Sequence, residues 1–286
     1  MSTVSPIDTH TRLGVVSLVV AELDRALRFY EQAIGLRLHE RHDGRALLGV
    51  EGATLVELVE EPGATPVDRS TGLFHLALLL PTRSDLAAWV QHAIDDHIPV
   101  EGASDHVVSE AIYLSDPDGH GIELYADRGR EIWEGKVQEL MTTLALDLPS
   151  LLAEVDPAGS TPYAGLPVGT TIGHVHLKVA EMPATIDWFR DVLGFELMAT
   201  YGPQAAFLGA SGYHHHIGAN TWLSAGQNPS GPGTARLGYV TVVLPDLAER
   251  ERVLKQVRAA GGTTVELGDA WQVLDPSGNA LRLVAG

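Results

Sequence analysis

Cysteine is absent from the chain. That excludes disulfides, thiolate metal ligands and thiol nucleophiles. Basic residues are scarce: 19 Lys and Arg stand against 37 Asp and Glu, a formal net charge of −18. Such a charge argues against nucleic acid and anionic membrane as partners, because either would repel it. No apolar run approaches the roughly 18 residues of a membrane span. The start, Met1 to Thr11, is polar and carries no signal-like apolar core, so a cytoplasmic location is expected. Aromatics are only 6% of the chain, yet 45% hydrophobic content over 286 residues suffices for two domains of ordinary size.

What the chain does have is a repeat. Leu13 to Val20 is rich in β-branched residues and reads as a strand. Leu23, Ala26, Leu27 and Tyr30 then recur with helical spacing, and Gly35 stops the helix. Strands follow at Leu36–Glu40, Ala46–Val50 and Leu55–Glu60. This βαβββ unit recurs with a strand at Leu73–Leu80, a helix capped by Ser84 or Asp85, and strands around Val107, at Ala111–Leu114 and at Ile122–Tyr125. A third copy starts at Thr171, and its Trp188–Leu197 segment matches Phe29–Leu38 without a gap, 159 positions apart. A fourth runs from Leu237 to Leu283. The expected organisation is therefore modules one and two in residues 1–127, a linker with a short helix (Leu148 to Val155) in 128–170, and modules three and four in 171–286. Asp156–Gly169 and Gly226–Gly233 read as flexible connections.

The most informative stretch is Ala111 to Tyr125. Asp116-Pro117-Asp118-Gly119 is a turn by composition, so the flanking apolar runs become antiparallel neighbours. Tyr113 and Glu123 then fall on matching faces. A carboxylate among apolar strand residues is costly unless it is paired or binds a metal.

Four βαβββ units resemble the vicinal oxygen chelate superfamily, which includes glyoxalase I, bleomycin-resistance proteins and type I extradiol dioxygenases. The resemblance implies an α+β fold in which pairs of modules curl into two incomplete barrels, with ligands on the first and last strands of a module. At those positions stand Val15 and Glu57, His75 and Glu123, His174 and Gly218, and Tyr239 and Arg282. The surviving ligands are His75, Glu123 and His174, the two-His-one-carboxylate set suited to non-haem Fe(II), with Mn(II) equally compatible. They meet only if module two pairs with three and module one with four. His176 is a rival ligand but aligns with Ala77, and Glu57 is a second rival.

The bacterial catechol-2,3-dioxygenase-like group is the nearest resemblance. There a Tyr precedes the ligand Glu by ten positions, as Tyr113 precedes Glu123. His106 takes the place of an upstream His, at slightly short spacing. An acid–base His is expected in Tyr213-His214-His215-His216. Read as a strand, this run turns His215 to one face and His214 and His216 to the other, and His215 fits best. Asn220, Trp222 and His216 are expected to touch substrate. The implied reaction joins a small aromatic diol and O₂ at Fe(II) and opens the ring beside its two oxygens. His215 moves protons, Tyr113 hydrogen-bonds the diol and His106 orients or relays. A glyoxalase-type lyase or isomerase using Glu57, and a metal-free binding protein, are the alternatives. Association into a homo-oligomer is left open.

Overall fold

In the computed structural model, residues 5–155 and 163–286 are described. The first residues of the chain, 1–4, and the early part of the expected Pro/Gly/Ser-rich linker, 156–162, lie outside them.

Module one comprises β1 (Arg12–Val20), α1 (Leu23–Arg28), β2 (Arg37–His42), β3 (Arg45–Val50) and β4 (Ala53–Glu60). After α1 the helix widens into a π-turn over Phe29–Ile34. Gly35 ends it at φ 93, a conformation that costs glycine nothing, and its N–H donates to the Tyr30 carbonyl at 3.1 Å. Module two comprises β5 (Gly72–Leu79), α2 (Arg83–Asp95), β6 (Gly102–Asp105), β7 (Ser109–Ser115) and β8 (Gly121–Asp127). The α2 cap is Thr82, not Ser84 or Asp85: its Oγ1 accepts the Asp85 N–H at 3.1 Å. The strand expected around Val107 ends earlier, because Val107 sits in a turn with φ 68.

The link between the halves holds α3 (Arg130–Trp133), α4 (Val137–Leu140), β9 (Leu144–Ala145) and α5 (Leu148–Leu152). Asp147 caps α5 by accepting the Ser150 N–H. Module three comprises β10 (Thr171–Lys178), α6 (Met182–Trp188), β11 (Glu196–Tyr201), β12 (Ala205–Gly209) and β13 (Ile217–Asn220). Its own π-turn ends at Gly194 with φ 92, repeating the geometry of Gly35. Module four comprises β14 (Arg236–Leu244), α7 (Leu247–Ala259), β15 (Val265–Leu267), β16 (Ala270–Leu274) and β17 (Ala280–Ala285).

Two curled sheets result. One has the order β15-β16-β17-β14-β1-β4-β3-β2 and the other β11-β12-β13-β10-β5-β8-β7-β6-β9. Modules four and one thus share a sheet, as do modules three and two, which is the crossed pairing the ligand positions demand. The joins are antiparallel, β1 against β14 and β5 against β10. The helices pair differently, within each half. Trp89 Nε1 of α2 donates to the Ala33 carbonyl at 3.2 Å, and α7 packs on the π-turn of module three. One apolar cluster, including Leu18, Leu76, Trp89 and Phe189, runs through both sheets. Each such fully buried side chain contributes about 1.5–3 kcal/mol.

Gly226–Gly233, expected to be flexible, is tied down on both sides. Thr71 N–H donates to the Asn228 carbonyl at 3.1 Å and Thr65 N–H to the Gly233 carbonyl at 2.9 Å. No helix among the described residues is long and apolar enough to cross a membrane.

Candidate metal centre

The hairpin β7–β8 forms as the turn chemistry requires. Asp116 N–H donates to the His120 carbonyl and Gly119 N–H to the Asp116 carbonyl, which sets Tyr113 directly across from Glu123. β8 runs parallel to β5, with Ala77 beside Glu123 and His75 beside Gly121. A Cβ at Gly121 would collide with the Phe74 carbonyl, so glycine permits this close approach next to His75. β10 lies on the other side of β5 and sets His174 across from Ala77. Three strands from two halves of the chain thus aim their side chains at one point.

There the Nε2 of His75 lies 3.0 Å from Glu123 Oε2, and the Nε2 of His174 lies 3.1 Å from the same oxygen. The two Nε2 atoms are 3.3 Å apart. All three residues are buried. Three lone-pair atoms at such separations fit one divalent cation: ligands about 2.1 Å from a metal and about 90° apart lie about 3 Å from each other. Burial works to raise the Glu123 carboxyl, but the His174 and His75 imidazoles outweigh it and hold it well below the usual carboxylate range. Burial also lowers His174, against the pull of Glu123. A cation bound here would take the place of the imidazole N–H donors that face Glu123 Oε2. The His174 Nδ1 is buried without a hydrogen-bond partner among the described residues, so packing holds this ring, with Tyr125 at 4.9 Å and His215 at 4.1 Å between centroids.

The trio opens onto a cavity of about 630 Å³, also lined by Tyr113, His106, His215, His176 and Trp222. His106 Nδ1 lies 2.7 Å from the Thr142 carbonyl, which can only accept, so the proton is on Nδ1. Its Nε2 then accepts from the Tyr113 hydroxyl at 2.7 Å. Burial first, and Glu123 second, push the Tyr113 phenol well up, so it stays protonated. Thr142 comes from the segment read only as linker, which also brings Met141 and Thr143 to the cavity wall.

The histidine triplet is not a strand. It lies in the loop before β13, which bends so that each ring takes its own direction. His214 is fully buried and its Nε2 donates to Asp127 Oδ1 at 2.9 Å. Its Nδ1 is then an acceptor, 2.8 Å from His215 Nδ1. This fixes the His215 proton on Nδ1 and leaves the Nε2 lone pair free. Burial, then His174 and His214, hold the His215 imidazole well below its usual range, so it is neutral. Tyr213 also donates to Asp127, at 2.9 Å to Oδ2.

The expected substrate contacts divide. Trp222 lines the cavity and is 45% exposed. Asn220 does not line it: the side chain is buried and its Oδ1 accepts the Trp222 N–H at 3.2 Å. His216 also lies outside. Its Nδ1 accepts the Ala210 N–H at 3.1 Å, and it borders a separate cleft with Arg12 and Thr54. The bend of the loop turns it there. The rival His176 lines the cavity but is not among the converging atoms, and Glu57 belongs to the other sheet. Sequence reading missed Asp127, because the strand bearing Glu123 was ended at Tyr125. One more alternating residue would have placed Asp127 on the Glu123 and Tyr125 face.

Known proteins share this fold. The model of the Glyoxalase/Bleomycin resistance protein/Dioxygenase superfamily matches residues 12–124 and 171–283. A catechol-2,3-dioxygenase of Bacillus subtilis is 40% identical over 279 residues, covering 96% of this chain and 96% of that protein. Among solved structures, a Bacillus subtilis protein assigned as a dioxygenase superposes with TM-score 0.66 at 14% identity, covering 98% of this chain and 86% of that one. Glyoxalase I of Zea mays superposes with TM-score 0.60 at 19% identity, covering 96% and 92%. The two superpositions speak for the fold alone.

Proposed function

The chain belongs to the Glyoxalase/Bleomycin resistance protein/Dioxygenase superfamily, and within it we propose an extradiol ring-cleaving dioxygenase that joins a catechol-type diol and O₂ at a non-haem Fe(II) held by His75, His174 and Glu123. The observation that carries this reading is the convergence of two imidazole nitrogens and one carboxylate oxygen within 3.3 Å of each other, at the floor of a cavity. His75, His174 and Glu123 would hold the ion and, being only three protein ligands, would leave it able to take up small molecules as well. When bound, Fe(II) brings ring and O₂ together and lets electron density pass between them.

The chain's own residues do the rest. Trp222 and Phe74, packed edge to face at 5.4 Å, give an aromatic ring an apolar wall. Tyr113, whose own hydroxyl donates to His106 Nε2, accepts a hydrogen bond from one diol hydroxyl. His215 takes the second diol proton on Nε2 and gives it back as the O–O bond breaks and the ring opens, both atoms of O₂ staying in the product. The Asp127–His214 pair carries no substrate contact and keeps His215 in the tautomer this requires. Burial of His215 and His214 shields this proton transfer from bulk water.

The test is an anaerobic Fe(II) load, addition of catechol, and then O₂. The expected result is one O₂ consumed per catechol with a yellow ring-opened product. Isolation with nickel or zinc and turnover of a thiol adduct would support a glyoxalase-type lyase instead, and a protein that takes up no metal would support a binding role. The Glu57 needed for the lyase set sits on β4 in the opposite sheet, which favours the dioxygenase.

A further inference from the structure

Along β10, His174, His176 and Lys178 share one face, and all three line the cavity. Their neighbours Val175 and Leu177 are fully buried on the opposite face. A strand rises roughly 3.3 Å per residue, so the Lys178 backbone stands about 13 Å from that of His174. Lys178 therefore marks the far end of the chamber whose floor is the metal trio. It is only 4% exposed, and it is the one lysine or arginine lining the cavity among the described residues.

An ammonium group offers three donors. Among the described residues Lys178 spends one, on the Asp68 main-chain carbonyl at 2.6 Å. The Asp68 carboxylate is not its hydrogen-bond partner. Oδ1 of that group accepts instead from the Ser70 N–H at 2.8 Å and from the Ser230 hydroxyl at 3.1 Å. A buried cation with donors to spare is costly unless an acceptor completes its shell. Burial lowers the Lys178 ammonium, which is the signature of that cost, with Asp68 opposing it. Between Lys178 and the trio, the Nε2 of His176 is buried and has no hydrogen-bond partner among the described residues. An unsubstituted diol on the trio would leave both groups unanswered, and a volume of about 630 Å³ is far more than a single ring fills.

Resting on the dioxygenase reading, we infer that Lys178 is a specificity residue that receives an anionic substituent, a carboxylate, carried on the ring at the end away from the diol. The chain's net charge of −18 makes a local cation the condition for admitting such a substrate.

The test uses the Fe(II)-loaded protein without O₂, so that binding is read without turnover. Calorimetric titration compares 3,4-dihydroxybenzoate with its neutral amide, 3,4-dihydroxybenzamide. Wild type is expected to bind the acid at least about tenfold more tightly. Lys178→Met should abolish that preference while amide affinity stays within about twofold, and Lys178→Arg should retain most of it. Equal affinity of wild type for acid and amide would overturn the inference whatever the variants do. A Lys178→Met protein that weakens both ligands alike would also overturn it, since that marks a strap holding the Asp68 loop. Binding of the amide but not the acid would sink this inference alone, and binding of neither would sink the dioxygenase reading with it.

Discussion

In the sheet of modules two and three, Ala77 lies beside Glu123 and Tyr113 lies across from it. In the sheet of modules four and one, Thr241 stands in the same relation to Arg282, and Gln272 lies across. Two positions before Ala77 stands His75; two before Thr241 stands Tyr239. The registers correspond, and the side chains are inverted in charge. Arg282 brings its own cation to the place where Glu123 would attract one, and stacks it 3.5 Å over the Tyr239 ring. Glu57 stands on β4 beside Ser17 and draws Arg45 to 3.4 Å. It lies near enough to help raise the Tyr239 phenol, behind burial as the main cause, to about 12. The same backbone thus carries the metal-binding trio in one barrel and an arginine stacked on a tyrosine in the other. The difference lies in a few side chains and not in the fold.

The largest effect expected from breaking this contrast comes at Glu123. Glu123→Ala should lose bound iron and all ring cleavage, measured by metal analysis and an oxygen electrode. Next is His215→Gln, which should keep its iron while turnover falls by roughly 10²–10⁴. Unchanged turnover would move the proton-transfer role elsewhere. Asp127→Ala removes the acceptor behind His214 and should cost about 10–100-fold in turnover with iron retained. A normal rate would show that the His215 tautomer needs no support.

The fourth expectation concerns acid. Burial pushes His176 and His215 well below the usual imidazole range and His216 down to about 4. In the unfolded chain these rings bind protons near 6.5. From about pH 6.5 downward the unfolded state therefore holds more protons, so stability falls as pH falls and returns as it rises. For the metal-free protein, Tm should drop between pH 7 and pH 5, with hydrogen exchange opening β10 before β1. Uniform exchange across both sheets would erase the predicted contrast. The smallest effect is Arg282→Met, which should change stability by about 1 kcal/mol and leave iron and turnover untouched.

Much of this was legible without coordinates. The Asp-Pro-Asp-Gly turn pins Tyr113 against Glu123, and local chemistry decides that pairing. The repeat located His75 and His174, and the missing ligands at Val15 and Arg282 implied which modules join. The histidine triplet was legible in part: His215 was singled out and lines the cavity, but a period-two pattern put His214 and His216 on one shared face, whereas the loop sends them to Asp127 and to the opposite cleft. Asn220, by contrast, does lie on a strand, at the end of β13. Its position near Trp222 was right, but it braces the Trp222 backbone and does not face the ligand. The linker's contribution through Thr142 is a long-range contact that no local pattern announces.

The most direct test of the central claim is the iron stoichiometry of His174→Ala, because this residue lies in the other half of the chain from His75 and Glu123. If one cation is gripped by both halves, iron per chain should fall from about one to near zero, as it does for His75→Ala. A His174→Ala protein that purifies with full iron would contradict the shared site.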